Sequence, residues 1–412
     1  MSLYTLVTFF LCVAVLSGYI NYRFLRLPTG IGITIVAAFL AFFVLGLDAF
    51  FPAFHVKQHF TTIISRISFE EAVLHWMLGF LLFAGALHVN LENLLERLRT
   101  ILSLATLGVF LATFFTGIFL HYTAKLFGLD IPLMWAFVFG ALISPTDPVA
   151  VLSVLQKAGI PRRTEIVIVG ESLLNDGVAV VLFLALLEIA TATQEISLGH
   201  FLAFFAKECL GGLGLGVLLG YLCFLLLRSV DDYELEVLMT LTLVMVCFSV
   251  AEKFHFSGPL AVVAAGLLIG NHGRRLAMSE RTVEHLDTFW RLVDGLLNAV
   301  LFMLIGLEVL LIKYNETNLL FGLVVIFLVL FGRFLSVLIS TALTSWFKGL
   351  SLKKTAFFTW CGLKGGIAIA LAFSLPENPL KDLFLTLTYF NVVFSVIFQG
   401  LTLRPIAERM KG

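Results

Sequence analysis

The sequence predicts an all-α polytopic membrane protein of about thirteen transmembrane helices, and three observations predict it. Of 412 residues, 60% are hydrophobic and 13% charged, with a mean hydropathy of +1.02; a soluble chain carries roughly 25% charged residues. The apolar residues gather into windows that can cross a bilayer as helices. The cations alternate between connections. Those after odd-numbered windows, with the C-terminal tail, hold eighteen Lys and Arg, and those after even-numbered windows hold six. A missed or additional span would scramble this alternation. The positive-inside rule then places the N-terminus outside and the C-terminus in the cytoplasm.

The first window, 3–22, follows no basic segment, so it reads as a retained span rather than a cleaved signal. Arg23 and Arg26 separate it from the second, 27–47, which leads into a long polar connection, 48–70. Windows 71–89 and 101–123 are divided by Arg97 and Arg99, and windows 131–155 and 165–190 by Lys157, Arg162 and Arg163. The seventh, 198–227, contains Gly211-Gly-Leu-Gly-Leu-Gly216 and Gly220. No strand precedes these glycines, so they suit close helix packing rather than phosphate binding. Lys207, near the outer end of that window, can snorkel. Windows 234–251 and 257–271 precede a second long connection, 272–290. There Arg281, Glu284 and Asp287, followed by Arg291, stand among apolar residues. An amphipathic helix on the membrane surface and an ordered loop fit that pattern about equally. Windows 292–312, 319–346, 355–375 and 382–403 complete the chain, with no soluble domain. The triplet Asn315-Glu-Thr317 matches a glycosylation acceptor, but its loop is very short and the match reads as chance. Five scattered cysteines, Cys12, Cys209, Cys223, Cys247 and Cys361, form no disulfide or metal pattern.

Two stretches organise the chain. Ala141-Leu-Ile-Ser-Pro-Thr-Asp-Pro-Val149 puts Asp147 between Pro145 and Pro148 inside the fifth window. Proline lacks a backbone N–H and disfavours the α region for the residue before it, so the helix is expected to break at membrane depth. Gly170-Glu-Ser-Leu-Leu-Asn-Asp-Gly177 puts Glu171, Ser172, Asn175 and Asp176 on about one face of the sixth. Broken backbone beside intramembrane carboxylates marks an ion site, because such groups persist only where they line a cavity or bind something. A structural hydrogen-bonding role for the two aspartates is the plainer alternative. Three glycines around Lys364, in Trp360-Cys-Gly-Leu-Lys-Gly-Gly366, predict a second interrupted helix in the twelfth window. Breaks in spans five and twelve fit two inverted six-helix repeats on either side of span seven.

Asp147, Asp176, Thr146, Ser172 and Asn175 form an oxygen-rich set that suits a hard cation. Partial desolvation favours the protonated form of a carboxylate. A group that holds either a proton or a cation, but not both, couples their movements. Arg333, alone in span eleven, needs a partner, and Glu171 is the acid facing away from Asp176; the pair would be structural rather than a ligand. Lys364 would counter the negative half-helix end in span twelve, with proton carriage as the bolder alternative. For His75 and His88 in span three, hydrogen-bonded packing is the plainer reading.

Ser144-Pro-Thr-Asp-Pro-Val-Ala150 and Gly170-Glu-Ser-Leu-Leu-Asn-Asp-Gly177 resemble the signatures of the NhaP/NHE branch of monovalent cation–proton antiporters. Trp360-Cys-Gly-Leu-Lys-Gly-Gly366 and Gln399-Gly-Leu-Thr-Leu403 resemble that family's later motifs. The resemblance implies a homodimer in the plasma (cell inner) membrane. It divides the chain into scaffold spans 1–3 (residues 1–98), core spans 4–6 (99–192), linker span 7 (193–230), scaffold spans 8–10 (231–315) and core spans 11–13 (316–412). Asp176 would be the main cation and proton carboxylate, with Asp147, Ser172 and the Thr146 carbonyl completing the site. Asn175 stands where electrogenic relatives have a second Asp, which implies electroneutral exchange of one cation for one proton. Glu171 and Arg333 match a family ion pair. Ala84 occupies the place of a Glu ligand in some archaeal members, and Lys364 that of a usual Arg.

The leading expectation is therefore a secondary antiporter exchanging Na⁺, or Li⁺ or K⁺, for H⁺ by alternating access, with no cofactor and no enzyme activity. Its partners would be membrane lipid and a second copy of the chain. Zero formal net charge gives no basic surface for nucleic acid. An intramembrane aspartyl protease would use two aspartates sharing a proton, but neither Tyr-Asp nor Gly-x-Gly-Asp surrounds Asp147 or Asp176. For a cation channel, no pore-loop filter sequence is present.

Overall fold

The computed structural model describes residues 3–64, 69–147, 151, 155, 159–191, 197–310, 316–343 and 351–409, and all regular structure among them is helical. The principal helices are α1 (Tyr4–Leu25), α2 (Thr29–Phe50), α3 (Glu71–Leu87), α4 (Leu98–Leu126), α5 (Leu133–Leu142), α6 (Arg162–Thr191) and α7 (Phe201–Leu227). After these come α8 (Tyr233–Phe254), α9 (Gly258–Leu268), α10 (Glu280–Leu310), α11 (Asn318–Leu343), α12 (Leu352–Cys361), α13 (Gly366–Phe373) and α14 (Lys381–Arg409).

Each of the thirteen apolar windows holds a helix, but length and composition alone support fewer crossings. Among the described residues nine helices suffice by themselves, and ten if α12 and α13, bent by 60° at their break, count as one span. Windows 71–89, 131–155 and 257–271 hold the shorter α3, α5 and α9. In the fifth the reason is visible: α5 stops at Leu142 and residues 144–147 are irregular, before helical backbone recurs at Val151. Pro148 and the glycosylation triplet's Asn315 lie outside the described residues.

The second half of the connection 272–290 is an amphipathic helix, continuous with the tenth span. It belongs to α10, which starts at Glu280, twelve residues before the apolar window. Ser279 caps this helix by accepting the Thr282 N–H at 3.3 Å, and no Gly or Pro interrupts it before Gly295. Leu286 and Trp290 on its inner face are fully buried, and Glu284 and His285 are exposed. The other long connection forms a short helix, Val56–Ile64.

Small residues set the closest approach. Gly212, Gly216 and Gly220 of α7 repeat every fourth residue and lie against Ser257 and, in α9, Ala261 and Ala265. A Cβ at Gly212 would stand 2.5 Å from the Ser257 carbonyl oxygen, and one at Gly216 would overlap that of Ala261. The glycine run is thus a packing seam, which matters in lipid because bilayer tails provide no hydrophobic drive between helices. Lys207, at the end of α7, places its ammonium 6.0 Å from the Phe256 ring centroid. Among the described residues all five cysteines are free thiols.

Candidate ion-binding site

The two interrupted helices cross and brace each other at their breaks. The Asp147 N–H donates to the Leu363 carbonyl at 2.8 Å, joining the irregular strand after α5 to the one between α12 and α13. Lys364 Nζ donates to the carbonyls of Ser144 at 3.0 Å and Pro145 at 3.4 Å. Its ammonium therefore satisfies two main-chain carbonyls of the irregular segment that follows α5. The sequence points Lys364 at the half-helix end in span twelve; the crossing gives it instead the main chain just past α5. Gly365 permits the approach. A Cβ there would lie 2.8 Å from Asp147 Cβ and 2.9 Å from Asp147 Oδ2.

Helix α6 runs past this crossing and presents its polar face to it. Ser172 Oγ donates to the Thr146 carbonyl, and Asn175 Nδ2 donates to Thr146 Oγ1 at 2.7 Å. Thr146 Oγ1 in turn lies 3.3 Å from Ser172 Oγ. Glu171, Ser172, Asn175 and Asp176 are all buried. The charged groups that act on the Asp176 carboxylate are Asp147 and Lys364. Asp176 Oδ1 and Asn175 Oδ1 have no hydrogen-bond partner among the described residues. A buried acceptor without a donor is costly, and a small cation is one species that satisfies it. The donor set here is carboxylate, hydroxyl and carbonyl oxygen. Among the described residues no cluster of three His, Cys, Asp or Glu side chains gathers as a soft metal would require.

Arg333 Nη2 pairs with Glu171 Oε1, both side chains about 95% buried. The pair ties α11 to α6 on the side of the crossing away from Asp176. Breaking such a pair leaves a buried charge without its partner.

A cavity of about 540 Å³ reaches Thr146, Asp147, Asp176 and Gly365. Its walls are mostly apolar, from Val73, Leu81, Leu82, Leu173, Leu301 and Ile367. Exposed His88 and Arg291 stand at its rim, at the end of the molecule that carries Arg274, Arg275 and Arg281. Behind the site, toward Glu171, Arg333 and Phe358, there remains a void of only about 10 Å³. Among the described residues, the large cavity thus reaches the aspartates from the His88 and Arg291 side. Ala84 is buried and lines the cavity without offering an oxygen. His75 and His88 are exposed, and His88 Nδ1 stands 3.7 Å from Asp287 Oδ1, which also pairs with Arg274.

The structure brings together the residues that the sequence singles out, and other groups join them. The Leu363 carbonyl enters through its main chain, which side-chain identity does not reveal. Asp294 and Asn298 also line the cavity. Their signal is a carboxylate and an amide at i, i+4 in the window 292–312, a pattern that reads equally as a surface pair.

A family model described as "Sodium/hydrogen exchanger, transmembrane" matches residues 11–409. The Na(+)/H(+) antiporter NhaP of Pseudomonas aeruginosa is 42% identical over 410 residues, covering 98% of this chain and 96% of that protein. The Na(+)/H(+) antiporter NhaH of Halobacillus aidingensis is 38% identical over 348 residues, 83% of this chain and 84% of that one. Among solved structures, the sodium proton antiporter MjNhaP1 of Methanocaldococcus jannaschii superimposes with a TM-score of 0.75 at 19% identity, covering 100% of both chains. That last likeness is one of fold.

Proposed function

The chain belongs to the sodium/hydrogen exchanger family, and on that footing we propose that it exchanges Na⁺ for H⁺ across the plasma membrane by alternating access, with Asp176 as the shared carboxylate. The observation that carries this reading is the cavity that ends on Asp147 and Asp176 beside two unwound backbones. Deprotonated Asp176 takes Na⁺, with Asp147, the Ser172 hydroxyl and the Thr146 carbonyl supplying further oxygens; protonated Asp176 releases it. Li⁺ and K⁺ are the competing cargoes. Asn175 adds no second exchangeable proton beside Asp176, so one Na⁺ leaves for one H⁺ and the cycle is electroneutral.

The moving unit comprises α4–α6 and α11–α14, which carry both breaks and the Glu171–Arg333 brace. The scaffold comprises α1–α3 and α8–α10 and forms the homodimer contact, with α7 as linker. With the N-terminus outside and the C-terminus inside, the present cavity faces the cytoplasm. No cofactor takes part. The test is a Na⁺ pulse applied to proteoliposomes that report internal pH. Na⁺-driven proton movement that vanishes in Asp176→Asn, and an exchange equilibrium that ignores an imposed voltage, support the reading. Undiminished exchange by Asp176→Asn overturns it.

A further inference from the structure

The cavity wall holds another carboxylate before the site. Asp294 shares one face of α10 with Arg291, Asn298 and Leu301, and all four line the cavity. The Asn298 side-chain amide donates at 2.9 Å to both Asp294 Oδ1 and the Asp294 main-chain carbonyl. Asn298 is itself 92% buried, so it fixes the carboxylate in the wall. Leu301 marks the depth, because it abuts Gly366, next to the Gly365 that touches Asp147. Seven helical residues rise about 10 Å, so Asp294 stands about that far short of the binding level. It is too distant to ligate an ion held by Asp176, and it lies one turn inside Arg291 at the rim.

We propose that Asp294 is an access site that draws Na⁺ past Arg291 and through the apolar part of the cavity toward Asp147 and Asp176. A cation entering this passage meets a guanidinium first and then apolar walls, which both oppose it. A fixed negative charge midway raises the local cation concentration. The inference rests on the exchange proposed above. It adds a direction: Asp294 sits on the scaffold and the aspartates on the moving unit, so Asp294 serves only the state in which this cavity is open.

The experiment measures Na⁺-driven proton movement with Na⁺ supplied to either face, using everted and right-side-out membrane vesicles. Asp294→Asn is expected to raise KM for Na⁺ about two- to tenfold on the cavity face at low ionic strength, with a smaller effect on maximum rate. Added choline chloride narrows the difference. Asp294→Glu restores most of the affinity, and KM from the opposite face stays as in the unaltered protein. An unchanged KM, an equal rise on both faces, or failure of Glu to restore it overturns the inference. If the Asn variant does not accumulate, the ionic-strength dependence of KM in the unaltered and Asp294→Glu proteins decides, and a flat response overturns the inference. Exchange surviving in Asp176→Asn defeats the proposed function itself. Loss there, together with normal KM in Asp294→Asn, defeats only the access site.

Discussion

Replacing Gly365 with Ala places one methyl group where the two broken helices meet. The backbone tolerates it, since φ −126° and ψ −163° are extended values open to any residue. The obstacle is steric. The new Cβ would lie 2.8 Å from Asp147 Cβ and 2.9 Å from Oδ2, where ordinary carbon contacts are about 3.5–4.0 Å. Rotating the carboxylate relieves the second contact only. Asp147 Cβ moves with the backbone, and that backbone is held to the Leu363 carbonyl at 2.8 Å. The crossing must therefore open by a substantial part of an ångström. Overpacking of this kind costs about 1–3 kcal/mol. If the strain is relieved by displacing Asp147, cation affinity falls about five- to 150-fold. The assay is KM for Na⁺ in proteoliposomes, alongside thermal unfolding in detergent. Gly214→Ala is the matched control, because a Cβ there meets nothing within 4 Å. A Gly365→Ala protein with unaltered KM and unaltered unfolding temperature would refute the reasoning that this contact positions the site.

Further outcomes follow from the same geometry. Arg333→Met strands the buried Glu171 carboxylate and should cost about 3–5 kcal/mol; adding Glu171→Met should recover much of the lost unfolding temperature, and no recovery contradicts a pairwise brace. Lys364→Met frees the Ser144 and Pro145 carbonyls and should slow exchange strongly, whereas Lys364→Arg, which keeps the charge, should retain more; equal rates in the two variants contradict that role. On the proposed competition of a proton and Na⁺ for one carboxylate, lowering pH through the acid limb should raise KM for Na⁺ by up to about tenfold per unit, and a pH-independent KM in titrated proteoliposomes contradicts it.

Much of the site is legible in the sequence because the signals are local. Pro145 and the glycines around Lys364 mark both interruptions by what they deny the backbone, and Asp147 and Asp176 stand out by their cost in lipid. What escapes depends on distant chain segments. Lys364 adjoins its own helix break in sequence, yet its ammonium reaches the carbonyls of Ser144 and Pro145, past the end of α5, because the interrupted spans cross. That the helix over 280–291 runs unbroken into the tenth span is hidden because Glu280–Arg291 is rich in charge; it persists through burial of Leu286 and Trp290 against neighbouring helices. Asp294 looks like a surface acid until the cavity gives it an inside. Each of the thirteen windows holds a helix, but α3, α5 and α9 are short or interrupted, so length alone does not identify each as a span.

In the proposed exchange one carboxylate, Asp176, is relieved of its proton when Na⁺ arrives. The decisive measurement counts the protons released on Na⁺ binding, by calorimetry of the purified protein in two buffers of different ionisation enthalpy. Close to one proton should be released per Na⁺ bound where the site is protonated beforehand, with both signals lost in Asp176→Asn. Sodium binding without proton release, or release that persists in Asp176→Asn, would contradict the proposed exchange.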